Sequence, residues 1–204
     1  MTEARTKHAT RSTEPKPRGR QRSVEAEAAI MTATIDLLRK KCLREVTADA
    51  IAQRAGVSKA TLYKWWPNKN LIALDAFTAK MKQSVPVPDT GSACKDFTEQ
   101  IKSVIRFYTS PGGACIRHFI AEGQSDPAFL ALFRERFLKN RRNEVRIIWE
   151  RGVKRGEIRD GLDEDTVMDL IYGPMIYRLL AGHAPLDDAH AEAMIAAAFR
   201  GLQQ

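Results

Sequence analysis

The chain has 204 residues, 44% of them hydrophobic and 28% charged, with a formal net charge of +8. That length supports one or two domains with buried cores, and no apolar run approaches the roughly 20 residues that span a bilayer as a helix. The three cysteines, Cys42, Cys94 and Cys115, are an odd count without tight pairing and read as reduced thiols. The first 22 residues lack the apolar centre of a secretory signal, so a cytoplasmic protein with no membrane partner is expected.

The charge is unevenly divided. Residues 1–22 hold seven Lys/Arg against two Asp/Glu, residues 23–82 ten against six, and residues 83–204 sixteen against seventeen. A basic front and a near-neutral rear suit a protein that docks a polyanion with its first part only.

Residues 1–22, rich in Arg, Lys, Thr and Pro, have nothing to bury and read as a disordered basic arm. Ser23 has the chemistry of a helix N-cap, followed by an apolar face of Ile30, Ala33, Leu37 and Leu38 at helical spacing. Thr47 caps a short helix that ends before Gly56. Ser58 caps a third, stopped by Pro67 near Trp66, and Asn68 caps a fourth running to about Lys82. VPVPDTG at 85–91 is a linker. Five more helices are predicted over 92–109, 113–123, 127–155, 163–183 and 187–202. No segment alternates as a strand does, so the chain is all-α. Residues 23–84 form one domain and 85–204 a second, with about nine helices in all.

The stretch TADAIAQRAGVSKATLYKWW, 47–66, has the spacing of a helix-turn-helix. Ile51, Ala52 and Ala55 face Val57, Leu62 and one tryptophan, and Gly56 stands where the turn asks for positive φ. Opposite Leu62 lie Lys59, Thr61, Tyr63 and Lys64, a cationic and hydrogen-bonding surface suited to double-stranded DNA. An ordinary helical hairpin would not require that surface.

AGVSKATLYKWWPNKNLIALDAF resembles the signature of TetR-family transcriptional regulators, and AIMTATIDLLRKKCLREVTADAIAQR resembles that family's first two helices. Cys42 stands where the family usually has the glycine that ends the first helix. The resemblance implies a homodimeric, ligand-responsive repressor of the bacterial nucleoid, without cofactor or metal, on a near-palindromic operator. It implies phosphate contacts from Thr47, Tyr63 and Lys69, and base or phosphate contacts from Ser58, Lys59 and Thr61. It also implies that Lys64 and Trp65 reach toward the groove, although Trp65, three residues from Leu62, also reads as a second core aromatic. Arg18 and Arg20 in the arm either enter the minor groove or only attract DNA.

In the rear domain, Ile105, Tyr108, Phe119, Glu122, Phe133, Trp149, Tyr172 and Met175 lie at helical spacings that suit a core. The resemblance implies that a ligand cavity opens among those helices. DLIYGPMIYRLLAGHAPLDDA, 169–189, is similar to the family's dimer helices. With Val167, Leu170 and Ile171, the residues Met194, Ile195, Ala198, Phe199 and Leu202 form a seam for a two-fold four-helix interface. A regulator without a small-molecule ligand is an alternative. An enzyme using Cys115 and His118, with Glu122 one turn on, is another.

Overall fold

The computed structural model describes residues 18–202, with side chains from Val24 onward. Regular structure among these residues is entirely helical. The elements are α1 (Arg18–Leu38), a 3-10 turn (Leu43–Glu45), α2 (Ala48–Ala55), α3 (Lys59–Tyr63) and α4 (Lys69–Ser84). The second half contains α5 (Ala93–Thr109), α6 (Ile116–Ser125), α7 (Pro127–Phe133), a π-helical segment (Arg134–Leu138), α8 (Lys139–Lys154), α9 (Glu164–Ala181) and α10 (Asp188–Leu202). Residues 127–154 run on without a break, so counted as one helix they bring the described total to nine.

Two local expectations are corrected at the front of the chain. Ser23 does not cap α1 but lies inside it, because the helix already begins at Arg18. Arg, Gln, Glu and Ala around Ser23 are good helix formers and carry the helix past it. Part of the expected disordered arm, 18–22, is therefore helical, while residues 1–17 and the side chains of Arg18 and Arg20 lie outside the described residues. The chain leaves α1 without a left-handed residue. Cys42 has φ −70° and ψ 161°, a conformation open to any L-residue, and its N–H donates to Glu45 Oε2 at 2.9 Å.

The caps at Thr47, Ser58 and Asn68 form as their side chains dictate. Each side-chain oxygen accepts an N–H of the first turn, from Ala50 at 3.1 Å, Thr61 at 3.2 Å and Leu71 at 3.0 Å. Gly56 takes φ +67°, which only glycine adopts without strain.

One core runs through both halves. Phe77 on α4 has ring centroids 5.3 Å from Phe107 of α5, 5.2 Å from Phe119 of α6 and 5.4 Å from Phe137 of the π segment. The fourth helix thus belongs to the front domain in sequence and to the rear core in packing. The linker is strapped down where Arg151 of α8 donates to the Pro88 carbonyl at 2.8 Å and pairs with Asp89 at 3.0 Å. At Gly113 a Cβ would stand 1.8 Å from the Phe107 carbonyl oxygen, so only glycine lets the chain fold back under the end of α5.

Candidate nucleic-acid interface and cavity

The front site is built from α2, the Gly56 turn and α3. Ile51, Ala52 and Leu62 are buried at the crossing, and Val57 N–H donates to the Ala52 carbonyl at 3.0 Å to close the turn. Arg54 ties α2 to α1 through Asp36 at 2.6 Å, and that bond holds the Asp36 carboxyl below its ordinary value. With Leu62 fully inside, the other face of α3 is turned to solvent. Ser58, Lys59, Tyr63 and Lys64 are exposed and Thr61 is half-buried. Tyr63, at 51% exposure, is an aromatic that packing does not account for.

Three expected contact residues are engaged within the protein. Lys59 Nζ lies 2.6 Å from Asp49 of α2, and this partner raises its pKa. Lys69, expected at a phosphate, donates instead to three backbone carbonyls at the 3-10 turn: Leu43 at 3.2 Å, Arg44 at 3.1 Å and Val46 at 2.7 Å. All three of its protons are thereby committed to the fold. Trp65 is half-buried and meets Trp66 edge-on, with centroids 5.8 Å apart and planes at 89°. It packs as a second aromatic of the front core.

α3 is shorter than expected, ending at Tyr63 with a turn at Lys64 and Trp65. Trp66 is buried, and its indole N–H donates to Asp75 Oδ2 of α4 at 2.8 Å. Arg136 of the π segment donates to both oxygens of the same carboxylate, at 3.2 and 2.9 Å. A polar chain therefore runs from the foot of α3 through α4 to the π segment.

The next residues of that segment, Phe137 and Leu138, line a cavity of about 500 Å³ bounded by α4, α5, α8 and α9. Of the eight residues expected there, Tyr108, Tyr172 and Met175 line it. Ile105, Phe119, Phe133 and Trp149 are buried core instead, and Glu122 faces outward to Arg44 at 3.3 Å. The lining also contains Gln100 and Arg141, which sequence reasoning missed. The signal was present: each is a polar residue inside an apolar stripe, Gln100 between Phe97 and Val104, Arg141 between Phe137 and Val145. A buried polar group is the informative exception in such a stripe. Tyr172 Oη donates to Gln100 Oε1 at 2.6 Å, and Arg141 pairs with Glu144. Burial pushes the Tyr108 and Tyr172 phenols up, against the opposing influence of the nearby Arg141 charge.

Cys115 and His118 do not form a reactive pair. Cys115 is buried, donates its S–H to the Gly112 carbonyl at 3.3 Å, and has its thiol pushed up to about 12 by burial. His118 is exposed. Among the described residues no cluster of three His, Cys, Asp or Glu side chains suits a metal ion, and no helix is long and apolar enough to cross a membrane.

Residues 30–76 match the model of bacterial regulatory proteins of the tetR family, and residues 87–198 match that of the tetracyclin repressor-like C-terminal domain. The chain belongs to the TetR family. It is 41% identical over 186 residues to the uncharacterized HTH-type transcriptional regulator YdeS of Bacillus subtilis, covering 91% of this chain and 94% of that one. It is 28% identical over 195 residues to the uncharacterized HTH-type transcriptional regulator Rv1556 of Mycobacterium tuberculosis, covering 96% and 94%. The TetR-family regulator SCO0332 superposes with a TM-score of 0.78 at 29% identity, covering 88% of this chain and all of that one. The regulator FadR of Bacillus subtilis, solved with stearoyl-CoA, superposes with a TM-score of 0.69 at 20% identity over 86% and 99% of the two chains, a likeness of fold. This TetR-family protein is thus a DNA-binding transcriptional regulator.

The expected dimer seam of this TetR-family chain is distributed differently from its sequence pattern. Val167, Ile171, Ile195, Phe199 and Leu202 are buried within the single chain; Phe199 packs against Phe97 of α5 at 5.9 Å. Met194 and Ala198 are half-buried. The apolar residues of α9 most open to solvent are the expected Leu170 at 54% and, beyond the expected set, Tyr177 at 66% and Leu180 at 48% exposure, and these last two also line the cavity. On α10, Ala193 and Ala197 are exposed.

Proposed function

We propose that this regulator is a homodimeric repressor that leaves a near-palindromic operator when a small molecule fills the cavity. The observation that carries this reading is the link between cavity and DNA domain. Phe137 and Leu138 line the cavity, and the adjacent Arg136 holds Asp75, which holds Trp66 at the foot of α3. A π segment is a register irregularity of the kind found at functional sites. A ligand that favours one arrangement of this segment moves α4 and α3 with it, and differential affinity for two arrangements suffices for release.

Ser58, Lys59, Thr61, Tyr63 and Lys64 contact DNA, and Thr47 keeps its hydroxyl proton for a phosphate. Leu170, Tyr177 and Leu180 on α9, with Ala193 and Ala197 on α10, meet their two-fold copies in a four-helix interface. That arrangement spaces the two recognition helices by about 34 Å, one turn of DNA. The chain acts in the cytoplasm, on the nucleoid. The acyl-CoA bound by its fold neighbour FadR supports a ligand role for the rear domain.

The test is fluorescence anisotropy on an operator selected from genomic DNA, with a compound library added. Compounds that raise the melting temperature should also lower operator affinity. Stabilising compounds that leave operator affinity unchanged would reject the coupling, and a library without any stabilising compound would favour a regulator that lacks a small-molecule ligand.

A further inference from the structure

The cavity wall is apolar at Val104, Phe137, Met168 and Ile176. Its polar lining includes an Arg142–Asp169 pair whose carboxylate is largely in solvent, and two buried side chains, Gln100 and Arg141, with N–H groups left over. Gln100 is 1% exposed, and its Nε2 has no hydrogen-bond partner, although its Oε1 is taken by the Tyr172 hydroxyl. Arg141 is 9% exposed and gives Nη1 to Glu144, which leaves further guanidinium N–H groups for a second acceptor. A buried amide N–H without an acceptor is a standing energetic deficit that a suitable ligand removes. Beside a guanidinium, an anionic acceptor answers both the vacancy and the charge.

We propose that the cavity binds an apolar monocarboxylate, its carboxylate seated on Gln100 Nε2 and the Arg141 guanidinium and its hydrocarbon body against Val104, Phe137, Met168 and Ile176. This rests on the ligand-responsive reading above and adds the chemistry of the ligand.

The test uses the full chain and a neutral apolar dye, N-phenyl-1-naphthylamine, displaced by decanoate, 1-decanol or decylamine. Decanoate should displace the dye at a concentration roughly tenfold or more below that of 1-decanol, as a charge-assisted contact implies. Decylamine should be the weakest. Gln100→Leu and Arg141→Met should each remove most of the decanoate advantage while leaving 1-decanol unchanged. Gln100→Leu also takes away the acceptor of the Tyr172 hydroxyl, so it is made in a Tyr172→Phe background, which by itself should keep the decanoate advantage; this pair decides the matter even if Arg141→Met, which strands Glu144, does not fold. Equal displacement by decanoate and 1-decanol, displacement by decylamine as strong as by decanoate, or an advantage that survives Gln100→Leu overturns the carboxylate while the cavity stands. A dye that the protein does not take up at all removes the cavity reading and the proposal together.

Discussion

Asp75→Ala tests the link between the two halves most sharply. The substitution takes one acceptor from two donors of different value. Trp66 is 5% exposed, so its indole N–H would be stranded away from water, at a cost of about 1–3 kcal/mol. The Arg136 pair is half in solvent, with side chains 46% and 25% exposed, and is screened to about 0.2–1 kcal/mol. The indole bond therefore dominates, and the expected loss is about 2–3 kcal/mol. For a chain of this length that lowers the melting temperature by about 4–12 °C. Arg136→Ala alone should cost less than about 1 kcal/mol. Combining Asp75→Ala with Trp66→Phe should recover a coupling energy on the order of 1 kcal/mol or more in a double-mutant cycle, read by urea unfolding. Additive losses would show that the indole and the carboxylate do not act as a pair, and the proposed route from cavity to recognition helix would lose its central contact.

Other outcomes follow from the same geometry. Lys69→Met should lower stability by about 1–3 kcal/mol, because three carbonyls lose a charged donor; unfolding curves matching wild type would return Lys69 to the DNA surface. Leu170→Glu with Tyr177→Glu should convert a dimer to a folded monomer in sedimentation, since both side chains already face solvent in the single chain; an unchanged dimer would place the interface elsewhere. Cys115 should react with Ellman's reagent only on unfolding at pH 8, because a thiol at about 12 ionises only at much higher pH, and fast labelling of the folded protein would contradict its burial.

The parts of the fold that were legible in the sequence are those with local causes. Thr47, Ser58 and Asn68 carry their own cap acceptors, and Gly56 its own positive φ. Ser23 carries the same cap chemistry but is overruled by the helix formers around it, a reminder that a cap competes with propensity. The rear domain was legible as helices but not as a cavity. Periodicity identifies which residues turn inward; it does not distinguish an inward residue that meets another side chain, such as Phe119 or Trp149, from one that meets a void, such as Tyr108. The same limit applies to α9 and α10, where the strongest apolar spacing marks the chain's own core and the outward face is the weaker pattern of Leu170, Tyr177 and Leu180. The π segment has no sequence mark, because its neighbours in 127–154 are all compatible with an uninterrupted helix. Lys69 follows DNA-binding chemistry by position, and only the folded chain brings the three carbonyls to it.

The exposed face of α3 is the surface proposed to read DNA. Genomic fragments selected by the wild-type protein should share two related half-sites about one helical turn apart. The same selection with Lys59→Ala, Tyr63→Phe and Lys64→Ala combined, in a protein that melts as wild type, should enrich no motif and retain only salt-sensitive binding to random DNA. Enrichment of the same half-sites by the triple variant would contradict the assignment of that face as the surface that reads DNA.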